Sequence, residues 1–132
     1  MILLDTHVWI WYIDNPSLLS KKALDTIELQ LETSPLLISS ISTWEVYMLE
    51  KKQRLKLKIP ADSWVRKCER LSILRFIPVN NDITRLAVSL PEPLHPDPAD
   101  RIIAATARHH GATLITQDNK LLVYPAVDTF WE

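Results

Sequence analysis

The chain has 132 residues, enough for one proper hydrophobic core and too few for two, so a single domain spanning 1–132 is expected. Fifteen basic against sixteen acidic residues leave a net charge of −1, which excludes a uniformly basic nucleic-acid-binding body and confines any polyanion to a local patch. One cysteine, Cys68, excludes an intrachain disulfide and a Cys-rich zinc site, and one glycine, Gly111, excludes Walker and G-x-G-x-x-G phosphate loops.

Met1 leads directly into Ile2-Leu3-Leu4, a short continuous apolar run of the kind found in strands covered on both faces. There is no basic leader or small-residue cleavage site, and no apolar run approaches about 18 residues, so a soluble, cytoplasmic protein with no membrane partner is expected. Thr6 is placed to cap a helix over His7–Ile13, which Asn15-Pro16 ends. Ser17 or Ser20 then opens a second helix through Leu31, with Leu24, Ile27 and Leu31 on one stripe. After Pro35, Leu36–Ser39 reads as the second strand, and Ser42-Thr43-Trp44-Glu45 opens a helix to Lys52. Pro60 suits the first turn of a fourth helix carrying Trp64, Val65, Cys68 and Leu71.

Leu74–Val79 is the third predicted strand, and Asn81 or Asp82 caps a helix to Leu90. Pro91, Pro93, Pro96 and Pro98 make a stiff loop before a helix over Ala99–His110, which Gly111 ends in the usual C-terminal position. Thr113–Thr116 is a fourth strand and Val127–Phe130 an edge strand. Strands alternating with helices predict a three-layer α/β/α sandwich around a parallel sheet of four to five strands.

A parallel α/β sheet gathers its strand ends on one edge, where ligands bind in the crevice. Asp5 directly follows the first strand, where it can act as a ligand or cap the next helix. Glu45 stands beyond the second strand, in a Ser-x-x-Glu spacing that is also a capping box. In Asp97-Pro98-Ala99-Asp100, Asp97 suits the N-cap and Asp100 falls one turn in, on the side of Ala104 and Ala107, so Asp100 is the candidate site acid. Asp118 ends the fourth strand, as turn former or as site residue. Converged carboxylates repel one another unless a hard cation such as Mg²⁺ or Mn²⁺ neutralises them. Thr6 and Thr116 bring hydroxyls to the same edge.

Lys51, Lys52 and Arg54, with Lys56 and Lys58 beyond them, form a basic cluster that reads equally as a solvated helix end and as a phosphate grip. His109 and His110 suit the negative end of a helix dipole. Cys68 reads as a buried hydrophobe, Trp9, Trp11 and Trp44 as core or interface residues, and Asp14, Asp25 and Asp128 as caps or surface groups.

The stretches Leu4-Asp5-Thr6-His7 through Trp11, Ile38–Glu45, Asp97–Ala107 and Leu114–Asp118 together resemble the PIN-domain family, specifically the VapC-type ribonuclease toxins of prokaryotic toxin–antitoxin pairs. The family's acids fall on Asp5, Glu45, Asp100 and, more variably, Asp118, and its supporting hydroxyls on Thr6 and Thr116. The resemblance implies Mg²⁺ or Mn²⁺, an RNA substrate, a homodimer and a small antitoxin that blocks the active-site groove. One departure is Lys51-Lys52-Gln53-Arg54-Leu55, which lacks the glycine common after the second acid's helix. Two other readings compete with a metal-dependent ribonuclease. One is a receiver-like signalling domain holding Mg²⁺ at the same sheet edge; the other is a PIN-like adaptor without catalysis.

Overall fold

Five short strands form one wholly parallel sheet: β1 (Ile2–Leu4), β2 (Leu36–Ser39), β3 (Leu74–Ile77), β4 (Thr113–Ile115) and β5 (Thr129–Phe130), in the order β3-β2-β1-β4-β5. The structure, a computed structural model, describes residues 1–93 and 96–132, so Leu94 and His95 of the expected proline loop lie outside the described residues. Helices α1 (Thr6–Asp14), α2 (Lys21–Leu31), α3 (Ser40–Lys51) and α4 (Ala61–Glu69) alternate with the first three strands. Helices α5 (Asn81–Ser89), α6 (Pro98–His110) and α7 (Asn119–Leu122) follow.

Alternation along the strands splits the apolar residues between two cores, because successive side chains point to opposite faces. Ile2, Leu4, Leu36, Ile38 and Ile115 meet Trp9, Val46 and Trp64 on one side. Leu3, Leu37, Ile77 and Leu114 meet Ile83, Ile103 and Ala107 on the other. Trp9 fills the first core by packing against Trp64 at 4.8 Å and edge-on to Phe76 at 5.5 Å between ring centroids. On the second side, Ala104, Ala105 and Ala107 of α6 are fully buried, small side chains that suit close approach of the helix to the sheet. Each fully buried Leu or Ile contributes about 1.5–3 kcal/mol, so the strands are held by both layers rather than by their few ladder bonds.

The sheet order decides one competing reading. A receiver of the flavodoxin-like class needs the order 2-1-3-4-5. Here β3 lies at the edge beside β2, which removes that reading. The chain reverses direction across the sheet between β1 and β4, so the crevice for a ligand lies beyond their carboxyl ends.

Several boundaries differ from the sequence expectation, each for a local reason. Asp5, not Thr6, is the N-cap of α1, accepting from the Thr6 amide at 2.8 Å. Ser39, not Ser42, caps α3 by accepting from the Ile41 amide, so the helix starts earlier and no Ser42–Glu45 capping box forms. Asn80 rather than Asn81 or Asp82 caps α5, and α4 starts after Pro60 and ends before Leu71. The strands β3, β4 and β5 are each shorter than expected, and α7 has no counterpart in the sequence reading. Asp14 is more than a surface group: it accepts from Trp64 Nε1 at 2.9 Å and the Lys58 amide at 3.1 Å, pinning α4 and its approach to α1.

The missing glycine after α3 is replaced by strain. Gln53 takes φ 57°, the left-handed conformation, while the Arg54 amide donates to Leu49 and the Gln53 amide to Glu50, closing the helix as a Schellman motif. Gly111 makes the same ending for α6 at φ 63°, with the Ala112 amide donating to Ala107. Among the described residues no helix is long and apolar enough to cross a membrane.

Candidate active site

Asp5 leaves β1 with both carboxylate oxygens engaged. Oδ1 accepts from the Thr6 amide as the cap of α1, and Oδ2 accepts from Thr116 Oγ1 at 2.6 Å. Thr116 follows β4, so this bond closes the crevice where the sheet changes direction. Its hydroxyl also accepts from the Asp118 amide at 3.0 Å, and Asp118 Oδ1 in turn accepts from the Lys120 amide as the cap of α7. One buried threonine thus sets the position of two acid-bearing turns.

A second hydroxyl orders the other wall. Thr6 Oγ1 lies 2.5 Å from Glu45 Oε1 and 2.8 Å from Ser42 Oγ. A carboxylate can only accept, so the single Thr6 hydrogen goes to Glu45 and Ser42 must donate to Thr6. Thr6, Ser42 and Thr116 are all buried. Ser42 therefore belongs to the framework of the site rather than to a helix cap. Its position one turn before Glu45 was the signal in the sequence; its partner Thr6, 36 residues away, was not legible.

The third wall is the start of α6. Asp97 accepts from the Ala99 and Asp100 amides at 2.8 and 3.2 Å, which makes it the N-cap, and Asp100 follows in the first turn at the positive end of the helix dipole. Asp5, Glu45, Asp97, Asp100 and Asp118 line one pocket of about 430 Å³. Thr6, His7, Trp11 and Gln117 complete much of its surface. Lys51, Lys52 and Arg54 are exposed and do not line it: they stand at the opposite end of α3, about 9 Å further along the axis than Glu45 at 1.5 Å per residue.

Crowding of like charge shows in the protonation equilibria. Burial pushes the Asp5 carboxyl above its usual range, against the hydrogen bonds from Thr116 and the Thr6 amide and the charge of His7, while Asp118 adds to the rise. Glu45 is raised mainly by burial and then by Asp5 and Asp97, with Thr6 opposing. Asp100 is pushed up to about 7, first by burial and then by repulsion from Asp5, Asp97, Glu45 and Asp118. A site that disfavours its own negative charge to this degree is one that a cation would relieve. All-oxygen anionic donors fit a hard divalent ion of the Mg²⁺ or Mn²⁺ type. Among the described residues no three acidic, histidine or cysteine side chains stand close enough together to hold an ion as they are. Loading would have to draw the carboxylates inward.

Residues 2–126 match the family described as PIN domain. The chain belongs to the PIN-domain family. As a PIN-domain protein it is 35% identical, over 98% of each chain, to Ribonuclease VapC22 of Mycobacterium tuberculosis. Its fold is shared with VapBC2 from Rickettsia felis, solved bound to a promoter DNA fragment (TM-score 0.71, 22% identity, all of both chains). It is shared also with a toxin–antitoxin complex from Klebsiella pneumoniae (TM-score 0.65, 24% identity, 96% of this chain and 95% of the other). These two likenesses concern the fold; the identity to VapC22 extends to the sequence.

Proposed function

We propose that this PIN-domain protein is a divalent-metal-dependent endoribonuclease, the toxin of a toxin–antitoxin pair. The observation that carries the reading is the convergence of Asp5, Glu45, Asp100 and Asp118 on one pocket from the ends of β1 and β4 and from α3 and α6, with the Asp100 carboxyl pushed up to about 7 by burial and its neighbours. The 35% identity to a ribonuclease, over 98% of both chains, supports the same reaction class.

In this reading Asp5, Glu45, Asp100 and Asp118 hold Mg²⁺, with Mn²⁺ as a substitute. When bound, the ion supplies charge neutralisation at the phosphate and activation of water. Thr116 turns Asp5, Thr6 turns Glu45, and both hydroxyls spend their hydrogen on a carboxylate. Asp97 is given to the cap of α6 and serves to hold Asp100 in place. Cys68 has no part: it is buried in the first core, and burial pushes its thiol up to about 11. We assign the attack to water with the 3′-oxygen as the leaving group, so the P–O3′ bond breaks and the products carry 5′-phosphate and 3′-hydroxyl ends.

The exposed Lys51, Lys52 and Arg54 are the candidate grip on phosphates of the RNA away from the cleaved bond. Ribonuclease activity in its own cytoplasm needs restraint, and the partner is a small antitoxin that covers the acidic pocket. The active unit is a homodimer, which sedimentation of the isolated chain tests. The decisive experiment is Asp5→Asn, which keeps size and one acceptor oxygen for the Thr6 amide while deleting a negative ligand, the Thr116 hydroxyl then having to accept from the new amide instead of donating. Cleavage of single-stranded RNA in Mg²⁺ should disappear with the thermal midpoint unchanged or raised. Cleavage at the wild-type rate in saturating Mg²⁺ removes Asp5 from the site, and RNA binding without cleavage by the wild type points to the adaptor reading.

A further inference from the structure

The acidic pocket has an aromatic wall that metal binding does not use. His7 and Trp11 are four residues apart on α1, hence neighbours on one helix face, and both line the pocket beside the acids. Their ring centroids are 5.9 Å apart with the planes inclined at 51°. Trp11 is half-buried and also meets Trp131 edge-on at 6.1 Å, so it is held from within the protein, whereas His7 is exposed. Gln117 lines the same pocket with an exposed side chain, and it also lines an adjoining hollow of about 530 Å³ walled in part by Asn119 and Phe130.

This wall answers a difficulty in the electrostatics. Five carboxylates repel a phosphate backbone, and the basic cluster at the far end of α3 does not line the pocket where the cleaved bond must lie. Stacking of an unpaired base on an aromatic ring attracts without relying on charge, and side-chain amides can pair with the base edge. We propose that His7 and Trp11 form a stacking subsite for one unpaired nucleobase of the RNA next to the cleaved bond, with the Gln117 amide directed to that base's edge. The subsite rests on the ribonuclease reading. It makes the enzyme select single-stranded over paired RNA at this position, because a base held in a duplex cannot be turned onto the rings.

The test uses a mixed-sequence single-stranded RNA whose cleaved bond is first mapped with the wild-type protein in Mg²⁺, and a set of the same RNA with single abasic positions around that bond. For the wild type, one abasic position beside the bond raises KM by about tenfold, the range expected for losing one stacked base. His7→Ala and Trp11→Leu each raise KM on the intact RNA by a similar factor with little change in kcat, and neither adds to the loss already caused by the abasic position. Trp11→Phe restores most of the effect by keeping a ring. Equilibrium binding of the same RNAs to the cleavage-deficient Asp5→Asn protein in Mg²⁺ shows the same ranking. His7 is exposed, so His7→Ala carries the test even where Trp11→Leu loosens the fold. Equal losses by the variants on intact and abasic RNA, or a wild type indifferent to every abasic position, overturn the subsite. A wild type that cleaves no RNA in Mg²⁺ overturns the ribonuclease reading itself, and the subsite with it, which is a different result from cleavage without discrimination.

Discussion

Thr116 Oγ1 donates to Asp5 Oδ2 at 2.6 Å across 111 residues of chain, and this bond ties the end of β4 to the end of β1 where the sheet changes direction. Because the same oxygen accepts the Asp118 amide, removing it disturbs two acids at once. Thr116→Val, close in shape and buried in the same place, should lower Mg²⁺ affinity and cleavage by about 10–100-fold, the usual loss when the partner of a metal ligand is deleted. Thr116→Ser should recover most of it. A calorimetric metal titration unchanged in the valine variant would show that Asp5 is oriented without this hydroxyl.

Asp97 and Asp100 separate a structural from a chemical carboxylate within one helical turn. Asparagine caps helices as well as aspartate but is a poor replacement for an anionic Mg²⁺ ligand. Asp97→Asn should therefore retain cleavage within a few-fold, Asp97→Ala should lower stability by about 1 kcal/mol, and Asp100→Asn should silence the enzyme with little loss of stability. Loss of cleavage in Asp97→Asn with activity kept in Asp100→Asn would exchange the two roles.

The raised Asp100 carboxyl makes the metal-free protein pH-sensitive in a direction opposite to that of a salt-bridged acid. Its folded value of about 7 lies above the ordinary 3.8, so the native state keeps a proton that the unfolded chain has already released. Stability is unaffected by this group below the unfolded value, falls as pH rises through the window between the two, and stays lower above about 7. Asp5 and Glu45, raised in the same direction, add to the decline. Denaturant midpoints measured from mildly acidic to mildly alkaline pH should fall in the wild type, fall less in Asp100→Asn, and hold level in saturating Mg²⁺. Parallel profiles for wild type and Asp100→Asn without metal would show that burial and the neighbouring acids do not raise the Asp100 carboxyl.

What could be read from the chain alone follows from how local each cause is. Ile2-Leu3-Leu4 and Leu36-Leu37-Ile38 announce buried strands because their apolar runs are continuous, and an acid immediately after such a run can only emerge at the sheet's carboxyl edge. The Asp97-Pro98 cap and the Gly111 ending of α6 were legible for the same reason, since cap chemistry lies within a turn. The two hydroxyls Thr6 and Thr116 were legible at the same edge, but which acid each one holds was not. Thr6 reaches Glu45 across 39 residues, and Glu50 rather than any local side chain accepts the Ala61 amide at the start of α4. Gln53 is the converse case: the Schellman hydrogen bonds impose a left-handed backbone that its side chain gives no reason to expect.

Lys51, Lys52 and Arg54 stand apart from the acidic pocket, at the negative end of the α3 dipole, where positive side chains are stabilised whether or not RNA is present. Their two roles differ in salt dependence. If they hold RNA phosphates, neutralising all three should weaken binding and reduce the slope of log K against log salt by about 0.7 for each phosphate of a single strand that is no longer neutralised. Since none of them touches the pocket, Mg²⁺ affinity and the cleavage of a dinucleotide too short to reach the cluster should stay near the wild-type values. RNA binding unchanged at every salt concentration, together with loss of self-association or of antitoxin binding, would assign the cluster to a protein interface and leave the aromatic wall of the pocket as the chief grip on the RNA.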